Sequence, residues 1–320
     1  MIKVGIVGGA GYTGGEAIRI LLNHPQASLT WVNSSSSADK PLYSVHTDLF
    51  GSTDMCFTDN FDWNAIDVAF LCVGHGNARK FMEEHAIPNS VKIIDLSQDY
   101  RIEPDTNGFV YGLPEMNRER IKTATRIANP GCFATAMQLA ILPLSEKGLV
   151  TGEVNISAVT GSTGAGQSLS ATSHFSWREN NMSVYKLFEH QHLREVHQTL
   201  TRHQEDRPVN FVPYRGDFTR GILATTYTQF EGTIQEAYTI YNDFYQSSPF
   251  THVSPTNIAL KQVVNTNKCL IYLEKHGDKL VIVSAIDNLL KGASGQAIEN
   301  MNLMFSIDQM SGLRLKAQGF

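Results

Sequence analysis

Apolar and polar positions follow two different rhythms along this chain. Near its start, short β-rich apolar runs at residues 2–7, about 27–33, 67–73 and 91–95 are separated by segments, about 14–23 and about 77–86, with helical patterning. Alternation of strand and helix predicts a doubly wound parallel sheet. From about residue 154 the segments become longer and strand-like, at 154–159, 221–227 and 279–285, and predict a mixed or antiparallel sheet in a second domain. Residues 295–305 return to helical spacing. Ala297, Ile298, Met301, Met304 and Phe305 share one face there, and such a face needs a surface to pack on. No internal repeat is visible, and the serine run at 34–37 is too short to be a linker.

Composition narrows the function. The chain has 320 residues, 42% hydrophobic and 18% charged, which suffices for more than one core and makes two domains the expectation. Its formal net charge of -5, with no basic cluster, argues against a nucleic-acid partner and favours small-molecule chemistry. Cys56, Cys72, Cys132 and Cys269 lie far apart without a C-x-x-C pair, so neither a zinc knuckle nor a disulfide framework is expected. Reduced thiols and a cytoplasmic home fit best. The first residues read directly as a strand rather than a secretory leader, and no apolar run is long enough to span a bilayer, so no membrane partner is expected.

After the first strand comes Gly8-Gly9-Ala10-Gly11-Tyr12-Thr13-Gly14, which reads as G-x-G-x-x-G at Gly9, Gly11 and Gly14. Glycines there permit a tight turn and close approach to a pyrophosphate, whose charge then sits at the positive end of the following helix. The position between an apolar strand and an amphipathic segment is the context that gives the motif meaning and points to a Rossmann-type domain; a ligand-free glycine turn is the alternative. Where an NAD enzyme usually offers a carboxylate to the ribose, this chain has Ser34, Ser35, Ser36 and Ser37, then Lys40. Hydroxyls and a lysine suit the additional phosphate of NADP, and a plain solvent loop is the other reading.

Cys132 follows Pro130-Gly131 and precedes the helical stretch 136–142. A thiol at a helix start meets unpaired N–H groups and the macrodipole, which stabilise a thiolate, and the same donors could hold an oxyanion. Cys72, inside an apolar strand pattern, and Cys269 read instead as small buried residues. A nucleophilic thiol wants a proton partner, and residues 185–196 supply His190 and His192 with Glu195 to orient one of them. An exposed helix face would carry the same residues, and His174, His197 and His203 compete as bases. The H-x-H pair lacks a third ligand, so no metal is expected.

Together these segments resemble the N-acetyl-gamma-glutamyl-phosphate reductases of the semialdehyde dehydrogenase superfamily. The resemblance covers nearly the whole chain and includes residues 8–14, 95–101, 111–115, 129–135, 161–166, 190–192, 220–221 and 287–296. It implies Cys132 as nucleophile and His192 as acid/base, with His190 the less favoured choice. It also implies that Gly164, Ala165, Gly166 and Asn288 flank the nicotinamide end of the cofactor, with Gly8, Gly9, Gly11, Tyr12, Thr13 and Gly14 on its phosphates. Ser97, Arg101, Asn129 and Arg220 are implied to bind the anionic substrate, with His190 and Glu195 beside them; an arginine can grip phosphate or carboxylate through paired hydrogen bonds. The chain departs from the family at Ser35, where an arginine is usual, and at Leu193-Arg194-Glu195-Val196, where Thr-Pro-Glu-Ile is usual.

The expected fold is α/β, a Rossmann-type doubly wound domain at 1–131 and 296–320 that binds NADP, with an inserted α+β substrate and dimerisation domain at 132–295 containing a mixed sheet. That division would put Cys132 at a domain boundary, where small-molecule clefts often lie. The expected activity is NADPH-dependent reduction of an N-acyl-glutamyl phosphate to its semialdehyde through a Cys132 thioester, by a homodimer or homotetramer. The rivals are an aspartate-semialdehyde dehydrogenase, set apart by a shorter acyl phosphate, and a catalytically silent NADP-binding sensor.

Overall fold

Six strands, all parallel, form the sheet of the first unit: β1 (Ile2–Val7), β2 (Ala27–Asn33), β3 (Val68–Leu71), β4 (Lys92–Asp95), β5 (Val110–Tyr111) and β6 (Arg126–Ala128). Their order is β2-β1-β3-β4-β6-β5. The interior strands are buried on both faces, which is why β3 reads Val-Ala-Phe-Leu without alternation. Helices α1 (Tyr12–Leu21), α2 (Asn77–Glu84) and α3 (Pro114–Thr123) connect them. The strand order reverses direction beside β1, so the loop at its carboxyl end stands where open α/β sheets bind ligands. The computed structural model describes residues 1–202 and 205–319.

The first unit comprises Met1–Pro130 and Ala293–Arg314. Its C-terminal helix, Gly295–Met304, is buried on every side and not on the one apolar face the spacing predicts. Burial of its polar side requires partners, and it has them. Asn300 donates to the Gly112 carbonyl (2.8 Å), Asn302 to the carbonyls of Gln309 and Ser311, and Glu299 accepts from Gln309.

The second unit comprises Gly131–Gly292 and the segment from Leu315 on. The expectation had put 296–320 wholly with the nucleotide domain; residues 316 and 318 instead hydrogen-bond Asn265 and Val264 of the second unit. Its seven strands are β7 (Val154–Thr160), β8 (Ser183–Val184), β9 (Val209–Arg215), β10 (Ile222–Gln229), β11 (Thr251–Ser254), β12 (Cys269–His276) and β13 (Lys279–Ile286), in the order β11-β12-β13-β10-β7-β9-β8. Pairing is mixed, with β7–β9 and β11–β12 parallel and the rest antiparallel.

Helices α4 (Cys132–Glu146), α5 (Phe175–Arg178), α6 (Leu193–Leu200) and α7 (Ile234–Tyr245) complete the unit. Every residue of α4 from Phe133 to Ser145 is buried. Pro143 lies inside it and removes the N–H that the Leu139 carbonyl would accept. The Tyr245 hydroxyl takes that carbonyl at 2.6 Å, and Tyr241 takes Ala140 at 2.5 Å. Among the described residues no helix is long and apolar enough to cross a membrane.

Candidate active site

In the first unit the glycine loop joins β1 to α1. Gly8 has φ +75°, and a Cβ there would stand 2.8 Å from the Cys72 carbonyl oxygen. At Gly9 a Cβ would come within 2.2 Å of Val32 Cγ1, and at Gly14 within 2.6 Å of the Gly9 oxygen, so both are required by packing. Gly11 differs. Its backbone (φ -78°, ψ 169°) is open to any residue, and an added Cβ would find nothing nearer than 3.8 Å. Neither strain nor internal packing demands glycine at this helix cap. Tyr12 is exposed, and the Thr13 carbonyl is held by Ser294 (2.7 Å). His46, which pattern reading missed, bonds the Gly9 carbonyl through Nε2 at 2.7 Å and backs the loop from inside.

The turn after β2 presents Ser35, Ser36 and Lys40 to solvent, whereas Ser34 is buried with its hydroxyl 3.3 Å from that of Ser36. Nearby, Cys72 is half-buried and not the fully buried residue its apolar strand pattern suggests, and desolvation raises its thiol to about 12, which keeps it protonated and unlike a nucleophile. Cys269 is fully buried.

In the second unit Cys132 is the first residue of α4, and Gly131 caps it with no side chain contributing. The helix start is therefore open at the thiol, and its N–H groups favour negative charge there. Glu195, 2% exposed in the first turn of α6, accepts the Gly131 N–H at 3.0 Å. The His192 ring lies against the same glycine, since a Cβ on Gly131 would stand 2.4 Å from His192 Nε2. Cys132 thus follows a residue gripped by an imidazole on one side and a carboxylate on the other. From a third direction, a Cβ on Gly292 would meet Cys132 Cβ at 2.8 Å, so the loop through Leu290–Ser294 must carry glycine at that contact.

The two histidines are not on an exposed helix face. Both are buried, and α6 begins only at Leu193. His190 packs edge-on to Phe133 and Phe211, and its Nδ1 accepts the His192 N–H at 3.2 Å. Desolvation first, then Lys186 and Arg215, lowers its pKa to about 4, so the ring stays neutral at neutral pH. Of the pair, His192 is the one set against the residue next to the thiol. Tyr185, 5.8 Å from His190 and with the Arg215 guanidinium 4.7 Å over its ring, was not foreseen; burial, with a smaller push from Cys132, raises its phenol. Among the rival bases, His174 is exposed and bonds Ser176, His197 pairs with Asp206, and His203 lies outside the described residues.

Several residues implied to touch ligands are engaged elsewhere. The Ser97 hydroxyl is enclosed, donating to Asp95 (2.7 Å) and accepting from the Asp99 N–H, so it has no ligand face. Arg101 is buried and spends Nε and Nη2 on the carbonyls of Asn129 and Leu96. The Asn129 amide spans Ala293 and Asn300. These three brace the strand ends of the first unit. Arg220 is locked through two nitrogens to buried Asp287, each at 3.1 Å. Asn288 accepts the Gly221 N–H and donates to Thr163, holding the turn Ser162–Ala165 beside exposed Gly164 and Gly166. Asp287 is the residue that organises this corner, also accepting the N–H groups of Asn265, Leu289 and Leu290. Its place in the 287–296 motif was the available signal.

A family model described as semialdehyde dehydrogenase, NAD binding domain, matches residues 3–124, and one described as semialdehyde dehydrogenase, dimerisation domain, matches residues 132–288. A relative from Bacteroides thetaiotaomicron named N-acetyl-gamma-glutamyl-phosphate reductase is 56% identical over 322 residues, covering 100% of both chains. Another of that name, from Flavobacterium johnsoniae, is 53% identical with the same full coverage. Among solved structures, aspartate semialdehyde dehydrogenase II from Vibrio cholerae superposes with a TM-score of 0.73 over 96% of this chain and 99% of that one, at 16% identity, a likeness of fold alone.

The glycine loop yields a separable prediction. Gly9→Ala should lower thermal stability by roughly 1–3 kcal/mol through overpacking against Val32. Gly11→Ala should melt like the parent yet bind dinucleotide about tenfold or more weakly, as a methyl group intrudes on the phosphates. Calorimetric melting and nucleotide titration of both variants check this; equal nucleotide affinity for Gly11→Ala and the parent would remove the loop from the binding site.

Proposed function

The chain belongs to the N-acetyl-gamma-glutamyl-phosphate reductase family, oxidoreductases of the semialdehyde dehydrogenase superfamily, and on that premise we propose that it reduces N-acetyl-gamma-glutamyl phosphate, or a related N-acyl-glutamyl phosphate, to the semialdehyde in arginine biosynthesis. The observation that carries this reading is the turn before α4, where His192 and Glu195 converge on Gly131 beside the Cys132 thiol.

Cys132 as thiolate attacks the acyl carbon; the S–C bond forms, the C–O bond to phosphate breaks, and phosphate leaves with the electron pair. The N–H groups opening α4 face the charge that develops on the acyl oxygen. NADPH, when bound, supplies the hydride that takes the thioester to a thiohemiacetal. Collapse of the thiohemiacetal returns the S–C pair to sulfur and frees the aldehyde. His192 takes the thiol proton at the start, gives it to the alkoxide left by hydride transfer, and takes it back from the hydroxyl at collapse. Glu195 holds the Gly131 amide and so the direction of the first turn. Arg220, oriented by Asp287, keeps a partly exposed edge suited to the substrate's anionic groups.

The preference for NADP is supported by the hydroxyls of Ser34, Ser35 and Ser36 with Lys40 after β2, where no carboxylate competes with a phosphate until Asp39. A structural neighbour, aspartate semialdehyde dehydrogenase from Candida albicans, was solved with NADP. The enzyme is read as a cytoplasmic homodimer or homotetramer acting on a small molecule, in line with the dimerisation domain of its family.

Mass spectrometry of the full chain mixed with N-acetyl-gamma-glutamyl phosphate and no nucleotide should reveal an acyl adduct on Cys132, discharged on addition of NADPH. Faster turnover of β-aspartyl phosphate in parallel would overturn the substrate assignment, and neither adduct nor turnover would favour a silent dinucleotide-binding sensor.

A further inference from the structure

In the second unit Arg220 is held to Asp287, and Arg207 lies 3.5 Å from Glu205. Arg215, the half-buried last residue of β9, forms no ion pair among the described residues. Its Nε is shut off from solvent without a hydrogen bond, and its guanidinium lies 4.7 Å over the Tyr185 ring. The Tyr185 hydroxyl is a polar neighbour, but a neutral oxygen cannot match a rigid fork of five donors. A buried donor left unmatched costs free energy until an acceptor completes it.

Two more cations stand round the same wall. Arg178, 7% exposed, gives its nitrogens to the carbonyls of Thr172, Asn181, Arg215 and Gly216 and forms no ion pair either. Burial, and after it the Arg215 charge, lowers its pKa. Lys186 donates to the neutral Gln191 Oε1 at 2.9 Å. The acids nearby leave this charge unanswered: Glu195 accepts the Gly131 N–H, and Asp217 is exposed and pairs with neither arginine. The field reaches the thiol site. His190, whose ring lies 5.8 Å from that of Tyr185 and 4.6 Å from that of His192, is kept neutral by burial and then by Lys186 and Arg215. Like charges gathered in this way repel one another, and an anion among them turns the repulsion into attraction.

We propose that Arg215 is a substrate-binding residue of the Cys132 site, its guanidinium gripping an oxyanion of the acyl phosphate, either phosphate or carboxylate. The assignment rests on the reaction proposed for the site, whose substrate brings two anionic groups. Arg220, its charge already offset by Asp287, serves one of them. The other falls to Arg215. A guanidinium meets two oxygens at once, and stacking on Tyr185 fixes its plane before the substrate arrives.

Run in reverse, the reaction separates the two sources, because phosphate and carboxylate then arrive on different molecules, inorganic phosphate and N-acetyl-glutamate semialdehyde. Arg215→Gln in the full chain should raise KM for one of them by roughly 10- to 100-fold, the worth of hydrogen bonds to a charged group. The other KM should stay near the wild-type value, and the one that moves names the group held. Arg215→Lys should recover part of the loss, since it keeps the charge without the fork. Two wild-type KM values for Arg215→Gln would overturn the assignment. So would equal rises in both, the mark of a brace for Tyr185 and not of a grip. If Arg215→Gln does not fold, Arg215→Lys decides on the same pair: an unequal rise supports the grip, and two wild-type values overturn it. Wild type that runs the reaction in neither direction would defeat the proposed function, and the anion site then stands on binding alone. Calorimetric titration with inorganic phosphate and with N-acetyl-glutamate should show binding that Arg215→Gln loses. No binding to the wild type, or equal binding to both proteins, would overturn it.

Discussion

Serine at position 132 should reduce acyl-phosphate turnover by on the order of 10⁴-fold or more, the scale on which loss of a covalent nucleophile acts, while melting behaviour stays close to that of the parent. The size of the effect follows from chemistry and not from packing. Oxygen replaces sulfur at nearly the same volume, and the buried stretch from Phe133 to Ser145, not residue 132, anchors α4. The helix start and the Glu195 bond to Gly131 remain. What disappears is a group that ionises within reach of neutral pH and then both attacks and departs readily. Single-turnover kinetics with and without NADPH, in wild type and Cys132→Ser, make the comparison; a variant within tenfold of wild type would exclude a thioester route.

His192→Gln should cost about 10²–10⁴-fold in kcat, the usual worth of a placed acid/base, with little change in KM. Glutamine retains hydrogen-bonding capacity near Gly131 but cannot carry the proton. The pH profile separates the two histidines. Because burial holds His190 down at about 4, it is uncharged throughout an assay at pH 5 to 9 and gains charge only as pH falls towards 4. Any limb of the wild-type profile between pH 5 and 9 should therefore survive in His190→Asn, and the limb that reports the acid/base should vanish in His192→Gln. If instead the limb survived in His192→Gln, the proton role would pass to another group.

Much of the first unit was readable because its signals are local. β1, β2 and β3 are apolar runs enclosed on both faces, and the glycine loop occupies seven adjacent residues. Strands β9 and β12 were not singled out: β9 carries Pro213 in a position that pattern reading treats as a strand breaker, although its partners β7 and β8 accommodate it. The C-terminal helix was found, but not its burial on all sides, since that depends on amide partners at Gly112, Gln309 and Ser311. Family-implied ligands fared unevenly. Ser97, Arg101 and Asn129 carry the right chemistry for an anion, yet their donors are committed to the protein's own groups.

Cys132 illustrates the division. That a thiol stands at a helix start is decided within a few residues by Pro130-Gly131 and the apolar stretch that follows, because caps and periodicity are short-range effects of backbone geometry. That His192 and Glu195 flank the preceding glycine is decided elsewhere: Glu195 reaches Gly131 across 64 positions of sequence. Each hydrogen-bonding group has few partners to give, and burial makes every one of them obligatory. Whether an arginine such as Arg220 meets substrate or an internal carboxylate such as Asp287 is therefore set by which strands and loops the fold brings together, and no local pattern encodes that choice.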